Sequence, residues 1–176
     1  MKIDLREVVL VGKRIRLVPI SFDFAEQIFQ EFTPEITTFM YPKSPNDISD
    51  IEKWISSATE KVRKGQDLQT VIIKNDNNEF LGCAGLHSLD TKTPELGIWI
   101  KKSAHGQGFG QEAIATLKEW AEQNLDYKYL KYPVDRKNIP SRKIPESLGG
   151  IIEDEYKKPN QAGQILDEVE YRIYKK

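Results

Sequence analysis

His105-Gly-Gln-Gly-Phe-Gly110 is preceded by the stretch Glu95-Leu-Gly-Ile-Trp-Ile100 and followed by Ala113, Ile114, Leu117, Trp120 and Ala121 at helical spacing. The segment therefore reads as strand, glycine loop and helix. Glycines at three alternate positions let a backbone approach a ligand closely and take up angles that other residues resist. Successive amides at a helix start form a concavity of positive potential suited to a phosphate or pyrophosphate. A plain tight turn is the competing reading. The loop lacks the closing Gly-Lys-Ser/Thr of a Walker motif, because Gly110 is followed by Gln111-Glu112. Its third glycine comes one residue early for the dinucleotide fingerprint.

Outward from this loop, strands and helices alternate without a repeat, as in a single α/β domain. Lys13–Pro19 is expected as the first strand. Ser21 is placed to cap a helix carrying Phe22, Ala25, Ile28 and Phe29, and a loop follows through Thr33–Pro42. Ser44-Pro45-Asn46-Asp47 predicts the start of a second helix, whose stripe of Ile48, Ile51, Ile55, Ala58 and Val62 ends at Gly65. Gln69–Lys74 and Glu79–Leu86 read as strands joined by the turn Asn75-Asp76-Asn77-Asn78. Tyr129–Val134 is a further strand and Asn138–Leu148 a short helix. Ile151–Asp154 is expected to pair with Glu168–Tyr174 as a hairpin. Pro145 should kink or stop the short helix. The tryptophans Trp54, Trp99 and Trp120 fall in apolar periodic patterns and are expected in the core.

The bulk numbers narrow the partners. The chain has 176 residues, of which 39% are apolar and 30% charged, with a net charge of −1. This is ordinary globular composition, with no bulk basic character to suggest nucleic acid. Met1–Glu7 lacks the apolar run of a secretory signal, and no stretch approaches the roughly 20 apolar residues of a spanning helix. Cys83 is the only cysteine, so no intramolecular disulfide forms, and it reads as a buried strand residue. A cytoplasmic protein acting without membrane or metal is the expectation. Two histidines and one cysteine without clustered spacing give no metal-ligand set.

The ordered motifs Lys13-Arg-Ile-Arg-Leu-Val-Pro19, Glu95–Ile100, His105–Gly110, Asn138-Ile-Pro-Ser141 and Leu148-Gly149 resemble those of the GNAT superfamily of acyl-CoA N-acyltransferases. In particular they are similar to its subgroup resembling ribosomal-protein N-terminal acetyltransferases. The likeness runs over about residues 10–175. It implies a mostly antiparallel mixed sheet with a splayed parallel strand pair and helices on both faces. Pro133, inside the strand Tyr129–Val134, fits such a splay, and fits an ordinary edge strand equally well. The chain departs from the family pattern at His105, where Arg or Gln is usual, at Pro145, and at Gly150, which stands where an aromatic is usual.

The resemblance also implies the chemistry: transfer of the acetyl group of acetyl-CoA to a primary amine by direct attack on the thioester. The acceptor is a small molecule or a protein N-terminus, and the protein a monomer or homodimer. A non-catalytic acetyl-CoA-binding domain, and an enzyme acting on a polyamine or aminoglycoside, are the alternatives. His105, Gly106, Gln107, Gly108, Phe109 and Gly110 would hold the pyrophosphate. Ile98, Trp99 and Ile100 would line the cofactor, with an amide among Gly97–Ile100 stabilising the developing oxyanion. Asn138 would bind the pantetheine arm or cap its helix. Glu95 would be the base, acting through a water, or a strand-end glutamate in solvent. Ser141 would contact the cofactor and, secondarily, protonate the thiolate. His87 and His105 are candidates because histidine as a residue type suits acid–base work near neutrality, but incidental or structural roles compete. Acceptor recognition would fall to the first helices and the loop Thr33–Ser44, with Glu31, Glu35, Thr37 and Thr38 nearby. An α-amine costs only about 1–1.5 kcal/mol to neutralise at pH 7, against about 4.6 kcal/mol for a lysine amine, so a weakly placed base tilts toward the former.

Overall fold

The computed structural model describes residues 3–176. Of the segment Met1–Glu7 read above for a signal, Met1 and Lys2 lie outside the described residues. Among the described residues eight strands form one sheet: β1 (Leu10–Val11), β2 (Ile15–Pro19), β3 (Leu68–Lys74), β4 (Phe80–His87), β5 (Glu95–Ile100), β6 (Tyr129–Asp135), β7 (Ile151–Pro159) and β8 (Ile165–Tyr174). Their spatial order is β1-β2-β3-β4-β5-β6-β8-β7. The helices are α1 (Ala25–Glu31), α2 (Ile48–Arg63), α3 (Phe109–Asn124) and α4 (Ile139–Ser147).

The sheet carries a core on each face. On one side Ala113, Ile114, Leu117, Trp120 and Ala121 of α3 pack on Leu17, Leu86, Leu96, Leu130 and Tyr132. On the other Ile28 of α1 and Ile51, Ile55 and Ala58 of α2 pack on Val71, Ile73, Cys83 and Trp99. Each fully buried aliphatic side chain contributes about 1.5–3 kcal/mol. Strand residues alternate between these two cores.

Every strand pairing is antiparallel except β5 with β6. That parallel pair meets only at Glu95↔Lys131, whereas β6 pairs β8 over seven residues from Tyr129↔Tyr174 to Asp135↔Glu168. Beyond Glu95 the two strands diverge, as the splayed pair expected from the sequence. Pro133 is thereby placed. The Lys131 amide donates to the Pro94 carbonyl at 2.8 Å, on the β5 side of β6. Nitrogens two residues apart on a strand point the same way, so the Pro133 nitrogen also faces the opening. The edge-strand reading fails, because β6 lies between β5 and β8.

Other boundaries moved. The short strand β1 was not anticipated. The Ser21 hydroxyl makes no cap bond, and a 3-10 turn at Phe22–Phe24 precedes α1. Helix α2 starts at Ile48 rather than at Pro45: Asp47 is the cap, accepting from the Ser49 amide at 2.8 Å, while Asp50 accepts from the Asn46 amide at 2.9 Å. This near-reciprocal pair satisfies the first-turn donors and leaves Ser44–Asn46 in the loop that walls the cleft. Helix α4 continues through Pro145 to Ser147. The proline sits one turn from the end, where Gly149 (φ 80°) donates to the Glu146 carbonyl and Gly150 to the Pro145 carbonyl. That pattern is a Schellman ending. A Cβ on Gly150 would stand 2.8 Å from the Pro145 oxygen, so this close approach needs glycine there. The terminal hairpin is longer than expected and spans Ile151↔Arg172 to Pro159↔Ile165.

Candidate active site

The splay opens a cleft of about 610 Å³. Its walls come from β5, β6, α4, the loop Phe39–Asn46 and the faces of α1 and α2, with Glu168 of β8 and Lys158 of β7. Strand alternation divides it. Leu96 of β5 and Tyr132 of β6 point to the α3 side, whereas Trp99 and Cys83 point to the α1–α2 side. Glu95 and Gly97 share the face of Trp99, and Asp135 and its register partner Glu168 share the same face.

At the α3 side the glycine loop stands as read from the sequence. Gly106 (φ 74°) and Gly108 (φ 80°) occupy left-handed backbone, and Gly108 caps α3. A Cβ on Gly110 would come 3.2 Å from the Ile144 side chain and 3.5 Å from Ile98, so this glycine lets α3 approach β5 and α4. Among the described residues, no acceptor takes the amide hydrogens of Gly106, Gln107, Gly108, Phe109, Gly110 or Gln111. A row of open donors at the positive end of a sixteen-residue helix fits a pyrophosphate.

The loop is braced by a residue that sequence reasoning missed. The Arg14 backbone amide and Nε donate to the two Glu112 oxygens at 2.6 and 2.8 Å, and its Nη1 donates to the Gln107 carbonyl at 2.9 Å. Its guanidinium lies 4.5 Å from the centre of the Phe109 ring. His105 ties the loop entrance to the end of β5, its Nε2 lying 2.6 Å from the Ile100 carbonyl. Phe109 is buried in the core. His105 and Phe109 therefore set the loop's shape with their side chains, leaving the backbone to face outward.

Within the cleft the amide directions can be assigned. The Lys101 amide donates to Leu81 on β4 at 2.8 Å, so by alternation the Gly97 and Trp99 amides also face β4. Those of Ile98 and Ile100 face the opening. The Trp99 ring turns to the other face, 4.8 Å from Phe32 and 5.9 Å from Phe80. Trp120 is likewise buried, but Trp54 lines the cleft with 37% of its surface exposed, contrary to the expectation of core packing.

Ser141 lines the cleft, and its Oγ lies 2.8 Å from the Tyr132 hydroxyl. Burial pushes the Tyr132 phenol up to about 12, against a smaller opposing effect of the Ser141 hydrogen bond. The phenol therefore stays protonated and can donate to Ser141, leaving the serine hydrogen for the cleft. Asn138 caps α4, its Oδ1 accepting from the Ser141 amide at 3.4 Å, and it also lines the cleft.

On the opposite face Glu95 and Glu168 line the cleft. Glu168 is buried. Burial and the nearby Glu95 charge hold its carboxyl above the ordinary range, although Lys158 at 3.6 Å pulls the other way. No local pattern marked Glu168; it becomes a cleft residue only through the β6–β8 register. Glu31, Glu35, Thr37 and Thr38 do not line the cleft, and Glu35 pairs instead with Lys102 at 2.8 Å. The loop Phe39–Asn46 does wall the cleft and is tied to the β7–β8 turn. The Gln161 amide donates to the Tyr41 carbonyl at 2.9 Å, and Asn160 Nδ2 to the Met40 carbonyl at 3.2 Å.

Comparison with known proteins agrees with this architecture. Residues 14–151 match the Acetyltransferase (GNAT) domain. The chain belongs to the GNAT acetyltransferase family. It is 25% identical over 174 residues to the uncharacterized N-acetyltransferase p20 of Bacillus licheniformis, covering 95% of this chain and 96% of the relative. Mycobacterium smegmatis RimJ, solved in complex with a CoA disulfide, superposes with a TM-score of 0.82 at 17% identity, over 97% of this chain and 88% of that one. RimL, a ribosomal-protein α-N-acetyltransferase solved with coenzyme A, superposes with a TM-score of 0.85 at 14% identity, over 95% and 98%. At these identities the two structures speak for the fold. Among the described residues no helix is long and apolar enough to cross a membrane, and no group of three His, Cys, Asp or Glu side chains is placed to hold a metal ion.

Proposed function

We propose that this protein transfers the acetyl group of acetyl-CoA to a primary amine, with a peptide or protein N-terminal α-amine as the acceptor class. The observation that carries the reading is the row of unpartnered amides from Gly106 to Gln111 at the start of α3, where Gly110 packs against Ile98 and Ile100 of β5. Acetyl-CoA supplies an activated thioester carbonyl, and the chain supplies position and charge.

The loop His105–Gly110 holds the pyrophosphate on backbone N–H groups. Asn138 offers its side-chain amide nitrogen to the pantetheine arm while its oxygen caps α4. The Ile98 amide, directed into the opening, is the donor for negative charge developing on the carbonyl oxygen, with Ile100 next along the strand. Ser141, its own oxygen engaged by Tyr132, presents its hydrogen to the leaving sulfur. Glu95 and Glu168 on the far face draw in the cationic amine and hold it against the opening. The names of the RimL and RimJ relatives, and the resemblance to their subgroup, support an α-amine over a polyamine or aminoglycoside.

Two measurements test this. Calorimetry with coenzyme A should give saturable binding to folded protein, and Gly108→Val should abolish it, because its Cβ would impose strain at φ 80° beside Arg14. Free-thiol release from acetyl-CoA should be faster with a short α-amine peptide than with spermidine or an aminoglycoside. Absence of coenzyme A binding removes the reading. Binding without thiol release on the whole panel supports a non-catalytic acetyl-CoA-binding domain instead.

A further inference from the structure

The acceptor face of the cleft holds a histidine paired with a buried aspartate. His87 ends β4 and stands in register with Glu95, directly across the β4–β5 ladder. Its Nδ1 lies 2.9 Å from Asp67 Oδ2. Asp67, just before β3, is buried, and its other oxygen accepts from the Ser88 amide at 3.0 Å. Ser88 holds a positive φ of 59°, a costly conformation for a non-glycine residue that directs this amide at the carboxylate. Burial pushes the Asp67 carboxyl up, but the bonds from His87 and Ser88 outweigh it and keep the group ionised.

The ring has space made for it. Gly85 and Gly97 are register partners on β4 and β5. A Cβ on Gly85 would lie 3.1 Å from His87 Nε2, and one on Gly97 would lie 3.2 Å from the same nitrogen. Two neighbouring strands thus lack side chains beneath one imidazole. Nε2 rests over Gly97, immediately before Ile98, whose amide points into the opening. The ring is 36% exposed and lines the cleft, whereas Asp67 does not reach it.

We infer that His87, oriented by Asp67, is the proton acceptor for the attacking amine. The inference rests on the acetyltransferase reading above and supplies the step it leaves open. An ionised Asp67 can only accept, so Nδ1 carries the hydrogen and Nε2 the lone pair. The substrate ammonium gives one proton to Nε2, forming imidazolium. The freed amine lone pair forms the C–N bond to the acetyl carbonyl carbon, the C–S bond breaks, and its electron pair leaves on sulfur. The thiolate takes a proton from solvent, directly or through the Ser141 hydroxyl, which regains one from solvent in the same exchange, and the hydrogen remaining on nitrogen beyond the amide's own is released to water. His87 then returns its proton to solvent through the exposed side of the ring. Glu95 keeps the role of holding the ammonium, beside the ring on which positive charge develops. Asp67 is a positioning residue, because it acts through the histidine.

Other charged groups share the cleft and bear on any pH profile: Glu95 on β5, Glu168 on β8, Lys158 on β7, Lys43 in the loop, and Asp50 and Lys53 of α2. The variants are chosen to separate them. The assay is thiol release at pH 6–9, using whichever of the α-amine peptide and spermidine the unaltered protein turns over faster. H87A should lower kcat/KM about 100-fold, as loss of a general base does, with coenzyme A affinity changed less than twofold. Added imidazole should restore at least tenfold, seated between Gly85 and Gly97. D67N should lower kcat at least tenfold with little change in acceptor KM, because an amide donating to Nδ1 forces the hydrogen onto Nε2. E95Q should raise acceptor KM while leaving the imidazole rescue unnecessary.

H87A within threefold of the unaltered enzyme across the pH range overturns the assignment. So does a deep H87A defect that imidazole leaves untouched in protein whose Tm and coenzyme A binding are unchanged. Failure of the unaltered protein to bind coenzyme A or release thiol overturns the acetyltransferase reading itself, and the base with it.

Discussion

At the residue scale, the Tyr132–Ser141 pair sets how much a serine hydroxyl can do. A thiol leaving group has a pKa near 8.5 and needs only modest help to depart at neutral pH. Ser141→Ala is therefore expected to leave measurable turnover, with kcat reduced about tenfold or less. Tyr132→Phe should cost less than Ser141→Ala in kcat and should not add to it in the double variant, because the phenol acts through the serine. Single-turnover thiol release on the three variants checks both statements. Glu168 offers a test in stability. Its folded carboxyl titrates above the ordinary value of 4.5, with burial the leading cause. Between that value and the folded one, the folded chain binds more protons than the unfolded chain, so this group's contribution to stability falls as pH rises through the window. Glu168→Gln should consequently raise Tm at pH 7 and flatten its dependence on pH in the acid range, as followed by thermal denaturation.

At the scale of elements, α3 and its loop depend on a partner 98 residues away. Arg14 fastens Glu112 and the Gln107 carbonyl, and so fixes the curvature of the amide row. Arg14→Gln should weaken coenzyme A binding about tenfold in calorimetry while Tm falls little, since the pair is partly exposed. The glycine loop itself was legible in the sequence, because its signal is local: three glycines, a strand before and a helical stripe after. The mixed, mostly antiparallel sheet and its splayed pair followed from the family likeness, whereas Pro133 alone fitted a splay and an edge strand equally well. Arg14–Glu112, Asp67–His87 and Glu168 were not legible. Each becomes functional through contacts between segments 20 or more residues apart, or through a strand register that no short pattern encodes. The start of α2 was misplaced for a local reason. Ser44 and Asp47 both qualify as caps three residues apart, and the loop contacts of Met40 and Tyr41 with Asn160 and Gln161 favour the later one.

For the whole molecule, the acceptor side is bounded by two segments far apart in the chain. The loop Phe39–Asn46 and the β7–β8 turn are fastened by the Asn160 and Gln161 bonds, and Lys158 lies 5.2 Å from the Tyr41 ring centre. This clasp fixes the width available to an incoming amine. Asn160→Ala should raise the acceptor KM several-fold and leave coenzyme A affinity unchanged, a split that steady-state kinetics with calorimetry would read directly.

The solitary rung between β5 and β6 has a mechanical consequence. Strands β1–β5 and β6–β8 form two panels joined at one corner, held otherwise by the helices lying across the seam and by the bonds of Asn160 and Gln161 to Met40 and Tyr41. Whatever enters the seam and bonds to Ile98 or Ile100 supplies the missing rungs, so binding there should stiffen the molecule as well as fill it. Hydrogen–deuterium exchange would register this as slower exchange at those two amides on adding coenzyme A, with Gly97 and Trp99, already bonded to β4, changing far less.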